Sequence, residues 1–116
     1  MSSKSYTKGY MFEVAIKAYF VSLGYFVVRS SGSHTAVDLV ACKLGDGAPE
    51  TIFIQCKTMA KYLSKADEKI LRDLGNQAKC RVLLAYKSPQ QKGRQYEFRN
   101  LCEDFNEETQ GEMSGM

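Results

Sequence analysis

The chain of 116 residues lacks the sequence features of several large protein classes. Its four cysteines stand far apart with no Cys-x-x-Cys spacing, which predicts reduced core thiols rather than disulfides or a zinc site. No apolar run is long enough to cross a bilayer, and residues 1–9 are too polar for a signal peptide. We therefore expect a protein with no membrane association that acts in the cytoplasm, encoded by a cell or by a virus acting in its host cell.

Basic residues are absent from the C-terminal end of the chain. All sixteen Lys and Arg lie at or before Arg99, whereas five of the thirteen acidic residues follow it. Residues 1–102 therefore carry sixteen basic and eight acidic side chains, a net charge of +8 within a formal total of +3. Such an excess favours a polyanionic partner. We expect one folded domain over residues 1–102 and a disordered acidic tail over residues 103–116.

Hydrophobic spacing predicts two helices and five strands. Apolar residues recur at three- and four-residue steps over residues 8–23, and this pattern predicts a first helix that ends at Gly24. Ser64 followed by Asp67 is a capping-box pattern that predicts the start of a second helix. The apolar positions of this second helix are Ile70, Leu71, Leu74 and Ala78. Runs of β-branched and aromatic residues predict strands at residues 25–29, 37–42, 51–57, 81–86 and 96–99.

The connections between these elements predict a mixed sheet. Residues 43–50 contain glycine, aspartate and proline, which is typical of a turn joining the second and third strands in a hairpin. The second helix separates the third and fourth strands, so that pair is expected to be parallel. The predicted fold class is α/β, with a central mixed β-sheet flanked by helices.

Strand alternation brings a group of polar side chains to one end of this sheet. It places Val37 on the same face as Leu39, and Asp38 on the opposite face. If the hairpin pairs Asp38 with Gln55, then Asp38, Gln55 and Lys57 converge. Glu13 lies at the edge of the apolar stripe of the first helix and can face the sheet.

Phosphodiester hydrolysis explains why these residue types belong together. A divalent cation needs hard oxygen ligands, lowers the pKa of a water, and neutralises charge on the phosphate. Glu13 and Asp38 can supply carboxylates, while the Gln55 side-chain oxygen and the Cys56 backbone carbonyl can supply neutral ligands. Lys57 can orient the attacking water or stabilise the transition state. The sequence therefore predicts a divalent-cation site that acts on nucleic acid, with no small-molecule cofactor.

The segment between the first two strands predicts contacts with DNA. Ser33 and Arg29 can contact the scissile phosphate through a hydroxyl and a bidentate guanidinium. We expect further nucleic-acid contacts from Lys8, Ser31, His34 and Lys61. Each residue taken singly also has a structural explanation, as a surface, turn or loop residue, so the prediction depends on the joint pattern.

The joint pattern resembles the archaeal-type Holliday junction resolvases of the PD-(D/E)XK nuclease superfamily. The resemblance covers residues 8–86. It is carried by Lys8-Gly9, Glu13, Val27-Val28-Arg29-Ser30-Ser31-Gly32-Ser33, Val37-Asp38-Leu39-Val40-Ala41 and Ile54-Gln55-Cys56-Lys57. It implies a restriction-endonuclease-like core and active-site roles for Glu13, Arg29, Ser33, Asp38, Gln55 and Lys57. It also implies a homodimer that resolves branched double-stranded DNA in recombination and repair by paired cuts across a four-way junction, using magnesium or manganese.

Gln55 departs from the resolvase pattern, which has Glu at this position. A Gln-x-Lys pair is similar to that of Mrr-like restriction endonucleases in the same superfamily. Two alternatives to the resolvase therefore stay open, namely a restriction or repair nuclease on duplex DNA and a non-catalytic DNA-binding relative. The candidate dimer patches are Met59, Tyr62 and Leu63, or residues near Phe98 and Leu101, and both sets are equally compatible with an intrachain core.

Overall fold

The computed structural model describes residues 3–30, 36–87 and 96–102, with side chains from residue 9 onward. Two α-helices, α1 and α2, five strands, β1 to β5, and a short 3-10 helix lie within these ranges. In chain order they are α1 Ser3–Ser22, β1 Tyr25–Arg29, β2 Leu39–Lys43, β3 Thr51–Cys56, the 3-10 helix Ala60–Tyr62, α2 Lys65–Ala78, β4 Arg81–Tyr86 and β5 Glu97–Asn100. The described helices include none that is long and apolar enough to cross a membrane.

The strands form one mixed sheet in the order β1-β2-β3-β4-β5. The predicted hairpin is confirmed, because β2 and β3 pair antiparallel. The predicted parallel pair is also confirmed, because β4 runs parallel to β3 after the α2 crossover. β1 and β5 are antiparallel edge strands.

Helix α1 covers one face of the sheet. Its residues Phe12, Ile16 and Phe20 are buried, and they pack in one cluster with β-strand residues such as Leu39 and Ile54. Full burial of an aliphatic side chain such as Ile16 contributes about 1.5–3 kcal/mol. The apolar stripe predicted from spacing is therefore the packing face of the helix, and it holds α1 against the sheet.

Helix α2 covers the opposite face with a narrower contact than its spacing predicts. Leu71 is buried, whereas Ile70 and Leu74 are 49% and 36% exposed. Gly75 is buried, and a Cβ atom there would lie 2.6 Å from Cγ2 of Val82 on β4. Because only a glycine permits this approach, α2 lies close to β4 at Gly75. Its contact with the sheet thus depends on Gly75 and the buried Leu71, and Ile70 and Leu74 remain at the surface.

The predicted start of α2 is confirmed. The Ser64 hydroxyl oxygen accepts a hydrogen bond of 3.0 Å from the backbone N–H of Asp67. The helix ends at Ala78, and the left-handed φ of 56° at Lys79 allows the N–H of Cys80 to donate a 3.1 Å hydrogen bond to the Gly75 carbonyl.

One predicted face is wrong. Val37 packs with Leu71, Val82 and Leu84 on the α2 side of the sheet, rather than with Leu39 on the α1 side. The regular strand begins only at Leu39, and the backbone bends before it, so the two-residue alternation does not extend back to Val37.

Most of the candidate dimer residues belong to the chain's own interior. Leu63 and Leu101 are buried in the cluster on the α2 side, and Phe98 packs against the cluster under α1. Met59 and Tyr62 are exposed, at 41% and 56%. The intrachain alternative is thus the correct one for three of the five residues.

A polar network links three strands at one end of the sheet. The Glu50 carboxylate accepts a hydrogen bond of 2.9 Å from the Tyr25 hydroxyl, and its other oxygen accepts from Nε and Nη2 of Arg81. Tyr25 begins β1, Glu50 precedes β3 and Arg81 begins β4. The opposite end of the sheet, where β1 and β3 end and β2 begins, contains the predicted site residues.

Candidate functional site

The register of the first three strands brings the site residues together. Arg29 at the end of β1 pairs with Leu39 at the start of β2, and Leu39 pairs with Ile54 on β3. Asp38 is thereby placed beside the end of β3, where Gln55 and Cys56 lie. The predicted approach of Asp38 to the third strand is confirmed, since the Asp38 N–H donates a 2.9 Å hydrogen bond to the Ile54 carbonyl.

The Asp38 carboxylate is fixed by the backbone of β3. Its Oδ2 atom accepts a hydrogen bond of 2.8 Å from the Cys56 N–H. In the part of the chain that the structure describes, no hydrogen bond reaches the other oxygen, Oδ1. One oxygen therefore anchors the side chain to β3.

Burial makes the Asp38 carboxyl unusually weak as an acid. The pKa is raised from 3.8 to about 6, chiefly by burial. The hydrogen bond from the Cys56 N–H lowers it, the nearby Glu13 carboxylate raises it, and Lys57 and Arg29 lower it. Glu13, Lys57 and Arg29 therefore all lie within electrostatic range of Asp38. A bound cation would favour the ionised form of this desolvated carboxyl.

Glu13 of α1 faces the site but is paired with Arg29. Its Oε1 atom accepts a hydrogen bond of 2.9 Å from Nε of Arg29, and both side chains are half-buried. The Arg29 guanidinium also lies over the Tyr10 ring, 4.7 Å from its centroid. Sequence reasoning missed Tyr10, although its position three residues before Glu13 puts the two on neighbouring turns of one helix face.

Gln55 is buried, at 7% exposure, and its side chain lies beside Asp38 and the backbone of Ala36. The end of its carboxamide that faces Asp38 also faces the carbonyl oxygen of Ala36. Two acceptors are satisfied only by the amide nitrogen, which then donates to Ala36 O and lies 3.3 Å from Asp38 Oδ2. Sequence reasoning missed Ala36, because its contribution is a backbone carbonyl and has no side-chain signal.

The remaining predicted residues differ in their relation to this group. Lys57 follows β3 and is held by a 3.0 Å hydrogen bond from its N–H to the Ala85 carbonyl. Burial, with the Asp38 and Glu13 charges, raises the pKa of the Cys56 thiol far above its ordinary value, so the thiol is neutral. Lys61 is exposed in the 3-10 helix, outside the cluster of contacts described above.

Several predictions fall outside the described part of the chain. Ser31, Ser33 and His34 are among the residues that the structure does not describe, as is the predicted tail over residues 103–116. Lys8 lies in α1, but its side chain is also outside the description. Among the described residues, no group of three or more His, Cys, Asp or Glu side chains could hold a metal ion. The carboxylates that meet here are Glu13 and Asp38.

Comparison with known proteins agrees with this architecture. The family model of the archaeal Holliday junction resolvases, Hjc, matches residues 4–113. The 1.6 Å structure of Archaeoglobus fulgidus Hjc, described as a Holliday junction resolvase from an archaeal hyperthermophile, superposes with a TM-score of 0.61 at 22% identity. The match covers 81% of this chain and 73% of that chain, and it confirms the predicted fold class. No curated protein sequence matches the chain. Because the family model extends over nearly its whole length, the chain belongs to the archaeal Holliday junction resolvase family.

Proposed function

We propose that this chain is a magnesium- or manganese-dependent endodeoxyribonuclease that resolves four-way DNA junctions as a homodimer. Family membership supports the junction-resolving nuclease function and the branched DNA substrate. The observation that carries the catalytic part of the proposal is the placement of Glu13 and Lys57 within electrostatic range of Asp38 at one end of the sheet. Its substrate forms during recombination and repair, so we place its action inside a cell, either its own or the host of a virus that encodes it.

The residues of the site fit a hard divalent cation. Asp38 and Glu13 would supply carboxylate oxygens, and the Cys56 backbone carbonyl would add a neutral oxygen. The desolvated Asp38 carboxyl, whose pKa is raised to about 6, supports the fit, because an unpaired anion there is costly. When bound, such an ion would lower the pKa of a water and offset charge on the phosphate. Gln55 is the fourth predicted member of this set, and its role is argued separately below.

The protein's own cations would act on the phosphate. Lys57 lies close enough to Asp38 to lower its pKa, so its ammonium is suitably placed to orient the attacking water or stabilise charge that develops on the phosphate oxygens. Arg29 balances the Glu13 carboxylate while the site is free of DNA. A DNA phosphate that breaks the Arg29–Glu13 ion pair would free the guanidinium for a bidentate contact with that phosphate. Ser33 remains the proposed hydroxyl contact to the same phosphate.

The DNA surface would extend beyond the reacting group. Lys8, Ser31, His34 and Lys61 remain proposed contacts to the sugar-phosphate backbone. The net charge of +8 over residues 1–102 supports a binding surface for a polyanion. Contacts of this kind position a duplex arm without reading its bases. Recognition of a junction would then depend on the relative placement of two such surfaces.

Two equivalent scissile strands require two active sites, and each chain offers one. A dimer with two-fold symmetry supplies both. The exposed apolar face of β1 is the surface we propose for this contact. Phe26 and Val28 are 55% and 49% exposed, and they pair with Cys42 and Val40 on the side of the sheet opposite α1. A second copy of the chain would cover these side chains.

The decisive test is cleavage of a synthetic four-way junction and a matched duplex, with and without Mg²⁺. We expect paired cuts in the junction only, dependent on the metal, and no cutting by the Asp38→Asn variant. Cutting of the duplex at a similar rate would instead favour the Mrr-like nuclease. If the unmodified protein binds the junction tightly but does not cut it in Mg²⁺ or Mn²⁺, the chain is a non-catalytic DNA-binding relative.

A further inference from the structure

We infer that Gln55 is a positioning residue, which fixes the Asp38 carboxylate by donating a hydrogen bond rather than binding the metal through its own oxygen. The inference rests on the proposed function, because it assigns a role within that site. It also accounts for the residue that departs from the pattern expected at this position. The evidence is the surroundings of the Gln55 carboxamide.

The direction of the Gln55 amide follows from the groups around it. The side chain is buried, and the end nearest Asp38 lies between two acceptors, the Ala36 carbonyl oxygen and Asp38 Oδ2. Only the nitrogen can donate to both. The amide oxygen is at the other end of the planar group, so it cannot face the position beside Asp38 that a cation would occupy without breaking both contacts.

The effect on Asp38 is to restrict one oxygen. Oδ2 then receives two donors from β3, the Cys56 N–H at 2.8 Å and the Gln55 amide at 3.3 Å. Two donors from residues 55 and 56 of one strand fix the plane of the carboxylate, and Oδ1 is held in one direction for its ligand. A metal ligand that is out of place lowers the rate of cleavage, so the constraint on the Asp38 carboxylate should raise kcat.

A glutamate at position 55 could not make the same contacts. An ionised carboxylate can only accept hydrogen bonds, so its negative oxygens would face the oxygens of the Ala36 carbonyl and the Asp38 carboxylate and be repelled by them. The local backbone around Ala36 therefore favours glutamine in the metal-free protein. In this chain the two anionic ligands are Asp38 and Glu13, and the third polar side chain orients one of them.

The test compares Gln55→Met, which keeps the length and loses every donor and acceptor, with Phe53→Met on the same face of β3. We expect Gln55→Met to lower kcat for junction cleavage about tenfold to a hundredfold, the range expected when a buried charged acceptor loses its donor. The Mg²⁺ concentration for half-maximal rate, and the Mn²⁺ Kd measured by calorimetry, should rise by less than about a hundredfold, because an outer hydrogen-bond partner is lost and no ligand. Phe53→Met should leave all three quantities near those of the unmodified protein.

A rise of more than about a hundredfold in the half-maximal Mg²⁺ concentration or in the Mn²⁺ Kd would overturn the inference, because it exceeds the effect of losing an outer hydrogen-bond partner and indicates a lost metal ligand. An unchanged kcat would overturn it as well. Should Gln55→Met fail to fold, the side-chain amide signals of Gln55 in the full-length protein give an independent measurement. We expect them to be protected from solvent exchange with and without Mg²⁺, and to move upfield in Asp38→Ala. Signals identical in the two proteins would refute the hydrogen bond, whereas failure of the unmodified protein to cut junctions would refute the proposed function alone.

Discussion

The substitution Asp38→Asn should stabilise the metal-free protein at neutral pH. Burial raises the pKa of Asp38 from 3.8 to about 6. Between these values the folded state retains a proton that the unfolded chain has lost, so stability falls as pH rises through this window. A shift of about two units corresponds to about 3 kcal/mol at neutral pH, and partial exposure to solvent reduces this to about 1–2 kcal/mol. Asparagine carries no charge and avoids the penalty.

Urea unfolding followed by circular dichroism, with a chelator present, would measure this effect at pH 4 and at pH 7.5. We expect the two proteins to differ little at pH 4, and Asp38→Asn to be more stable by about 1–2 kcal/mol at pH 7.5. Magnesium should reverse the order, since a ligand present at a hundred times its Kd stabilises the unmodified protein by about 2.7 kcal/mol. If the unmodified protein is the more stable of the two at pH 7.5 without metal, the desolvation argument for Asp38 is wrong.

Three further results are expected. Lys57→Ala should slow junction cleavage by about a hundredfold or more with little change in junction Kd, because a transition-state contact is lost; a fall in binding alone would contradict this role. Gln55→Glu should tighten metal binding, measured by calorimetry, since a third carboxylate joins Asp38 and Glu13; an unchanged or higher magnesium requirement would contradict this. The same variant should lower the metal-free unfolding free energy measured in urea. Phe26→Glu should convert the dimer to a monomer in light scattering and abolish paired cutting, and an unmodified chain that stays a monomer with junction DNA present would refute the dimer. The affinity of the unmodified dimer for the junction should also fall steeply as salt is added.

Local patterns in the sequence determined most of the secondary structure. Strands β1 and β4 lie where their β-branched and aromatic residues predict them, at Tyr25–Arg29 and Arg81–Tyr86. The Ser64 cap starts α2 as predicted, because a hydroxyl that satisfies the N–H of the third following residue is a purely local interaction. The hairpin and the parallel pair follow from connection type, which the sequence also contains. The approach of Asp38 to the third strand was therefore predictable, because both belong to the predicted hairpin.

What only the tertiary structure decided concerns direction and exposure. Val37 changes face because the backbone bends ahead of β2. Ile70 stays exposed because α2 packs on the sheet through Leu71 and Gly75. The direction of the Gln55 amide depends on the Ala36 carbonyl, which lies nineteen residues away along the chain and has no side-chain signal. These features arise from packing between segments distant in sequence, and hydrophobic period and residue type do not encode them.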